Sequence, residues 1–349
     1  MKKNLFILIV LFCIFPITLR AQFDTQLSNY WAMNNYFNPA SAGYSGKLEV
    51  AGLYRLQWLG VENAPKSAVI VGDMPLKMGN KYHGVGVSMY NDQIGLFKST
   101  VMSGQFSYKM KLFGGDFGIG VQAGYIEESF DGSKVILPDD LDDGEGSSEG
   151  GTGGGNDESI PKGEASGSSF DAALGLFFNK PKWYVGLSVT HLTAPKLALD
   201  DNVVLEIPRS YYFTAGYNIQ LNNPLLELRP SVLVKTTELS SYYLEGDTLL
   251  VPSEENTLKG MWSQTQIDVT LRLVYNKSLW GGLAWRKDDA VVVMLGGRFK
   301  MIEIGYAYDF PISAIRTSTT GSHELFIKYA MDLNLKKGKK GKYKSVRIL

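Results

Sequence analysis

The chain has 349 residues, with 35 basic residues against 35 acidic ones and a single cysteine. Balanced charge gives no support for a nucleic-acid partner. The lone Cys13 falls inside a leader, so disulfides and cysteine-based metal or nucleophile chemistry are excluded from the rest. Although 44% of the residues are hydrophobic, no later run reaches about eighteen consecutive apolar residues, which rules out a helical inner-membrane protein. The leader itself is Met1-Lys2-Lys3, the apolar run Leu5 to Ile17 and a small-residue exit at Leu19-Arg20-Ala21. This is the pattern of an export signal over residues 1–21, with the cut expected after Ala21. A membrane anchor is the alternative, but about thirteen apolar residues interrupted by Pro16 are too few to span a bilayer. Phe12 in front of Cys13 argues against lipid attachment there.

Residues 22–45 form a polar arm without helical or strand period, expected below the membrane in the periplasm. From Lys47 onward, strand-like runs follow one another: 46–58, 66–73, 81–91, 97–112, 116–130, 168–179, 182–192, 209–221, 224–238, 263–276, 278–287, 290–299, 301–310 and 322–334, fourteen in all. The clearest lies between Trp262 and Tyr275, where Thr265, Ile267, Val269, Leu271 and Leu273 alternate with Gln264, Gln266, Asp268, Thr270 and Arg272. Only an extended strand sends successive side chains to opposite faces, so this segment has one apolar and one polar face. A soluble sandwich shares that period, and the loops arbitrate. Connections at 113–115, 179–181, 222–223, 276–278 and Lys300 are tight, whereas those at 59–65, 92–96, 131–167, 193–208, 239–262, 287–289 and 311–321 are generally longer and variable. Tight turns on one side and long loops on the other indicate an all-β fold, an antiparallel transmembrane β-barrel of about 14 strands in the outer membrane, with the tight turns periplasmic. The barrel is expected over residues 46–335, with both termini in the periplasm.

Few segments carry chemistry. The loop 131–167 gathers Asp139, Asp140, Asp142, Asp143 and Glu145 among glycines and serines, a calcium candidate without the ligand ladder of an EF-hand. A Gly/Ser/acidic stretch is otherwise read as solvated and extracellular here. The tail 336–349 carries Lys336, Lys337, Lys339, Lys340, Lys342, Lys344 and Arg347 and no acid. It is read as a solvated basic tail or as a dock for an acidic periplasmic partner. His83, His191 and His323 stand in separate strands or strand ends, outside any metal or catalytic spacing. No enzyme activity and no cofactor are expected. Asp268, Arg272, Glu303, Asp309, Lys328 and Asp332 point into the lumen, where they either line a conducting path or pair to fill a closed barrel.

The motifs N-P-A-S-A-G at 38–43, R-L-Q-W-L-G at 55–60, A-P-K-S at 64–67, D-M-P-L at 73–76 and Y-N-D-Q-I-G at 90–95 resemble, in order and spacing, the PorP/SprF family of outer-membrane proteins of the type IX secretion system of Bacteroidetes. The likeness continues through Y-V-G-L-S-V-T-H-L at 184–192, R-S-Y-Y-F-T-A-G-Y at 209–217, R-P-S at 229–231 and W-G-G-L-A-W-R at 280–286, with Asp289 and Ala290. It implies a non-enzymatic component of a protein-secretion and gliding machine, held in the outer-membrane lipid bilayer. The implied partners are periplasmic ring lipoproteins of PorK/PorN type, and large adhesins bearing a C-terminal sorting domain. A channel or transporter for small or apolar solutes is the alternative. The motif positions carried over as partner candidates are Asn38, Pro39, Arg55, Gln57, Trp58, Gly60, Pro65, Asp73, Pro75, Asn91, Asp92 and Gly95. The same cluster would alternatively close the seam between the first and last strands. The long acidic loop and the basic tail depart from the family pattern.

Overall fold

The computed structural model describes residues 25–135, 163–200, 203–238, 243–245, 248–250 and 265–333. The expected signal segment 1–21, most of the acidic loop, Trp262 and the basic tail 336–349 lie outside the described residues. The strands in chain order are β1 (Lys47–Leu56), β2 (Lys66–Met78), β3 (Lys81–Ile94), β4 (Phe97–Leu112), β5 (Gly115–Asp131), β6 (Glu164–Asn179) and β7 (Trp183–Thr190). They continue with β8 (Lys196–Asp200), β9 (Val203–Glu206), β10 (Ser210–Tyr217), β11 (Ile219–Gln220), β12 (Leu226–Thr237), β13 (Tyr243–Glu245) and β14 (Thr248–Leu250). Last come β15 (Gln266–Tyr275), β16 (Leu279–Arg286), β17 (Ala290–Phe299), β18 (Ile302–Pro311) and β19 (Ser322–Asp332).

Fourteen of these form one closed antiparallel barrel in chain order, from β1 through β7, then β10, β12 and β15 to β19. The ring closes where β19 pairs with β1, with Arg55 opposite Glu324. Outside the barrel wall, β8 pairs with β9 and β13 with β14, two short hairpins within the long connections. The expected run 209–221 divides into β10 and the short β11.

The period-two pattern explains which face meets which medium. On β15, Gln266, Asp268, Thr270 and Arg272 are buried, whereas Val269, Leu271 and Leu273 are 45%, 47% and 43% exposed. The same outward apolar face recurs in Val87, Met102, Leu187, Leu283, Leu295 and Leu325 on other strands. A continuous apolar belt around a closed sheet is untenable in water and is what a lipid-facing surface requires. Exposed aromatics flank the belt, with Phe113, Tyr217, Tyr275 and Phe299 at the tight-turn end and Tyr54, Trp285 and Phe310 at the other, as interfacial girdles do. We expect Leu271→Arg to cost about 2–4 kcal/mol, the penalty for a cation on the lipid face near the bilayer midplane, read as a lower urea midpoint for the barrel in lipid vesicles.

Two expectations need correction. β2 runs on through Pro75 to Met78 rather than ending at 73. A proline is tolerated because the β1–β2 ladder stops at Glu49 opposite Asp73, so the β1-facing edge of β2 has no partner beyond that point. The larger correction concerns the arm. Residues 25–43 do not hang below the barrel: none of them is exposed, and they run through its interior.

Candidate functional site

The interior segment begins at the long-loop end, where the Thr25 hydroxyl donates to the Tyr90 phenol at 2.6 Å. It leaves at the tight-turn end, where Gly43 N–H donates to Asp73 at 2.7 Å. Between them are a 3-10 turn at Tyr30–Ala32, one helical turn at Asn34–Phe37 and a 3-10 turn at Pro39–Ser41. The last is started by Asn38, whose side chain accepts from Ala40 N–H at 2.9 Å, with Pro39 in the first position. Such short turns leave many backbone groups unpaired, and each buried one must find a partner.

The polar inner face of the barrel supplies those partners. Glu324 accepts from the backbone N–H of Ser28 at 2.8 Å and of Asn29 at 2.7 Å. Gln105, Ser107 and Ser188 donate to the carbonyls of Asn35, Ala40 and Phe37 at 2.6–2.7 Å. The Asn38 amide donates to the carbonyls of Leu176 and Leu187 at 3.0 and 3.1 Å. The wall also makes room. A Cβ on Gly84 would lie 1.8 Å from the Ala42 carbonyl oxygen, one on Gly120 2.1 Å from Ala40 N, and one on Gly175 2.1 Å from Asn38 Oδ1.

Aromatic packing fills the middle. Trp31 meets Trp280 and Phe326 edge-on, with ring centroids 5.0 and 5.5 Å apart, and the Arg272 guanidinium lies 3.3 Å from the Trp31 ring centre. The Tyr30 hydroxyl is 3.0 Å from Ser231 Oγ.

At the long-loop end lies a buried ionic cluster. Arg55 reaches Asp309 at 2.7 Å and Glu324 at 3.3 Å. Arg286 reaches Asp268 at 2.6 Å, Asp309 at 3.0 Å and Asp289 at 3.2 Å. Ser28 sits between the two arginines: its hydroxyl donates to Asp309 at 2.7 Å and accepts from Arg55 at 3.0 Å and Arg286 at 3.2 Å. One serine of the interior segment thus joins β1, β16 and β18, while Glu324 of β19 holds its backbone.

The residues singled out in the sequence fall into three groups. Arg55 and Asp73 contact the interior segment directly, Asn38 belongs to it and bonds back to the wall, and Asp92 accepts at 2.6 Å from Ser67, which itself receives the Thr25 hydroxyl at 3.5 Å. Asp268 and Asp309 belong to the ionic cluster, while Arg272 stacks on Trp31. The remainder stand apart. Glu303 pairs with Arg298 and Lys328 with Glu49. Asp332, expected in the lumen, is exposed on the tight-turn rim and pairs with Lys47, because β19 ends there. Gln57 and Pro65 are buried and joined by the Gln57 N–H to Pro65 carbonyl bond. Trp58 N–H donates to Ser322 at 3.0 Å and Leu59 N–H to the Gly321 carbonyl at 2.8 Å, so that the first long loop is clipped to the last. Gly60 and Gly95 take positive φ in loops, Pro75 lies in β2, and Asn91 donates to Thr100. The acidic-loop carboxylates and the basic tail lie outside the described residues. Each histidine has a local partner: Asp171 for His191 at 2.8 Å, the Tyr306 hydroxyl for His323 at 2.6 Å, and the Tyr108 ring for His83. Among the described residues no cluster of histidine, cysteine or carboxylate is placed to hold a metal.

The description "Type IX secretion system membrane protein PorP/SprF" matches residues 19–329. The chain belongs to the PorP/SprF family. The match takes in the interior segment and every barrel strand up to the last residues of β19. No curated protein matches the chain. Among solved structures, the Pseudomonas putida toluene transporter TodX is similar at 11% identity and TM-score 0.45, covering 89% of this chain and 95% of that one. A Pseudomonas aeruginosa FadL homologue is similar at 11% identity and TM-score 0.43, covering 82% and 89%. The Acinetobacter baumannii outer membrane protein Omp33 is similar at 8% identity and TM-score 0.42, covering 81% and 97%. This PorP/SprF member is an outer-membrane barrel of the type IX secretion system whose interior is occupied by its own N-terminal segment.

Proposed function

We propose that the chain is a non-catalytic platform of type IX secretion, docking partner or cargo proteins for export or surface attachment rather than passing solutes through its own lumen. The observation that carries this reading is the occupied lumen: residues 25–43 are tied to the wall by paired charges, backbone hydrogen bonds and aromatic stacking. A barrel closed in this way acts through its two rims. On the periplasmic side, the basic segment 336–349 offers a dock for acidic ring components of PorK/PorN type, and the long outer loops offer surface to a large adhesin. The segment 1–21 supplies export of the precursor.

The competing reading, a channel for small or apolar solutes, requires the interior segment to leave its site. Two measurements separate the readings. A strain lacking the gene should lose surface display of a specific large protein and keep normal uptake of small solutes; unchanged surface proteins would overturn the platform reading. Co-purification from native membranes should recover periplasmic ring proteins in a salt-sensitive way that depends on residues 336–349.

A further inference from the structure

The interior segment does not fill the barrel evenly. Beside its exit toward the periplasm, a cleft of about 490 Å³ remains between the segment and part of the inner face of β2 to β6. That size falls within the range of about 300–1,000 Å³ usual for small-ligand sites. Its walls are largely apolar and aromatic, with Pro75, Tyr82 and Phe177 from the barrel and Tyr44 from the segment. Two charged side chains line it, Lys109 and Asp116.

These two charges differ in availability. Asp116 is taken by Lys111 at 2.6 Å. The Lys109 ammonium nitrogen is shielded from solvent and has no hydrogen-bond partner. Asp73, on the neighbouring wall, accepts from Gly43 N–H and acts on the Lys109 charge without a hydrogen bond to it. An ammonium group carries three donors and is costly to leave unpaired where water is scarce. In a cleft of ligand size it is an anion-recognition group, while the aromatic walls call for an apolar body. The carboxylates of Asp73 and Asp116 nearby disfavour a dianion, so the charge that fits is single.

We infer that this cleft is a binding site for a small organic carboxylate with an aromatic or branched aliphatic body, admitted from the periplasmic side, its carboxylate on Lys109 and its body between Tyr82 and Phe177. The inference does not depend on the platform reading, since a platform and a channel could each carry such a site.

The test is calorimetric titration of the full chain in a carboxylate-free detergent with 4-phenylbutyrate, its neutral isostere 4-phenylbutanol, and inorganic phosphate. The acid should bind about tenfold or more tightly than the alcohol, the worth of one charge-assisted hydrogen bond, and phosphate should bind more weakly than the acid. Lys109→Met should abolish the preference for the acid and Lys109→Arg should keep it, with heat-modifiable gel migration reporting that each variant is folded. Equal binding of acid and alcohol would overturn the proposal, as would an undiminished preference in folded Lys109→Met. Phosphate binding tighter than the acid, or no binding of the acid at all, would also overturn it.

Discussion

Arg55→Met destabilises the folded barrel by about 3–5 kcal/mol, the usual consequence of removing one member of a buried ionic network. Arg55 is 1% exposed and Glu324 fully buried, so the carboxylate left behind cannot recover hydration. Asp309 keeps Arg286 at 3.0 Å, whereas Glu324 keeps only uncharged donors from Ser28 and Asn29. The cost should therefore fall mainly on Glu324, and the double variant Arg55→Met with Glu324→Gln should recover part of it, because no unpaired charge remains. Arg55→Lys should not rescue fully: Arg55 uses separate nitrogens for Asp309 and for Glu324 with Ser28, a fork that a single ammonium cannot reproduce. The measurement is the denaturant midpoint at which the heat-modifiable folded band disappears. A loss below about 1 kcal/mol, the value of a solvated surface pair, would mean that water reaches the cluster.

Gly120→Val expels the interior segment while leaving the barrel closed. A Cβ at Gly120 already lies 2.1 Å from Ala40 N and 2.4 Å from Ala40 Cα, so backbone rather than a pliable side chain must move. Ordinary overpacking costs about 1–3 kcal/mol because neighbours adjust. Here the adjustment available is withdrawal of residues 38–43 from their seat. Added protease should cut the segment in the variant and spare it in the parent, and planar bilayers should show steady ion conductance for the variant alone. Gly104→Val is the control, since nothing lies within 4 Å of a Cβ added there. Continued protection of the segment in folded Gly120→Val would overturn the account of the glycine seat. Steady conductance of the parent chain would instead count for the solute-channel reading.

The barrel was legible because two independent signals agreed: a period of two along strands such as β15, and short turns alternating with long loops. Strand ends were less so. Whether β2 stops at Asp73 or runs past Pro75 depends on how far its neighbour β1 extends, which is a property of two segments. The interior segment was not legible as such. Its turns have no period, and its partners are single residues, Arg55, Gln105, Ser188, Asp309 and Glu324, spread along the chain and joined only by the closed ring. Tyr30, Trp31, Tyr36 and Phe37 fall within eight residues, a density of aromatic surface better suited to burial than to a solvated arm. Arg286 and Glu324 looked like ordinary strand residues, because nothing local distinguishes a charge that meets an opposite charge across the lumen from one that meets water.

The direction of the interior segment constrains assembly. Thr25 lies at the end of the long loops, while Lys47, where β1 starts, lies at the end of the tight turns. A finished barrel would have to admit this end of the chain through its whole length, against a wall that touches it nearly everywhere. Laying the segment down before β19 zips onto β1 avoids that threading. Residues 25–43 would then act as a mandrel on which the sheet curls. A bulky domain fused ahead of Thr25 should stall closure, whereas the same domain placed in an outer loop should not.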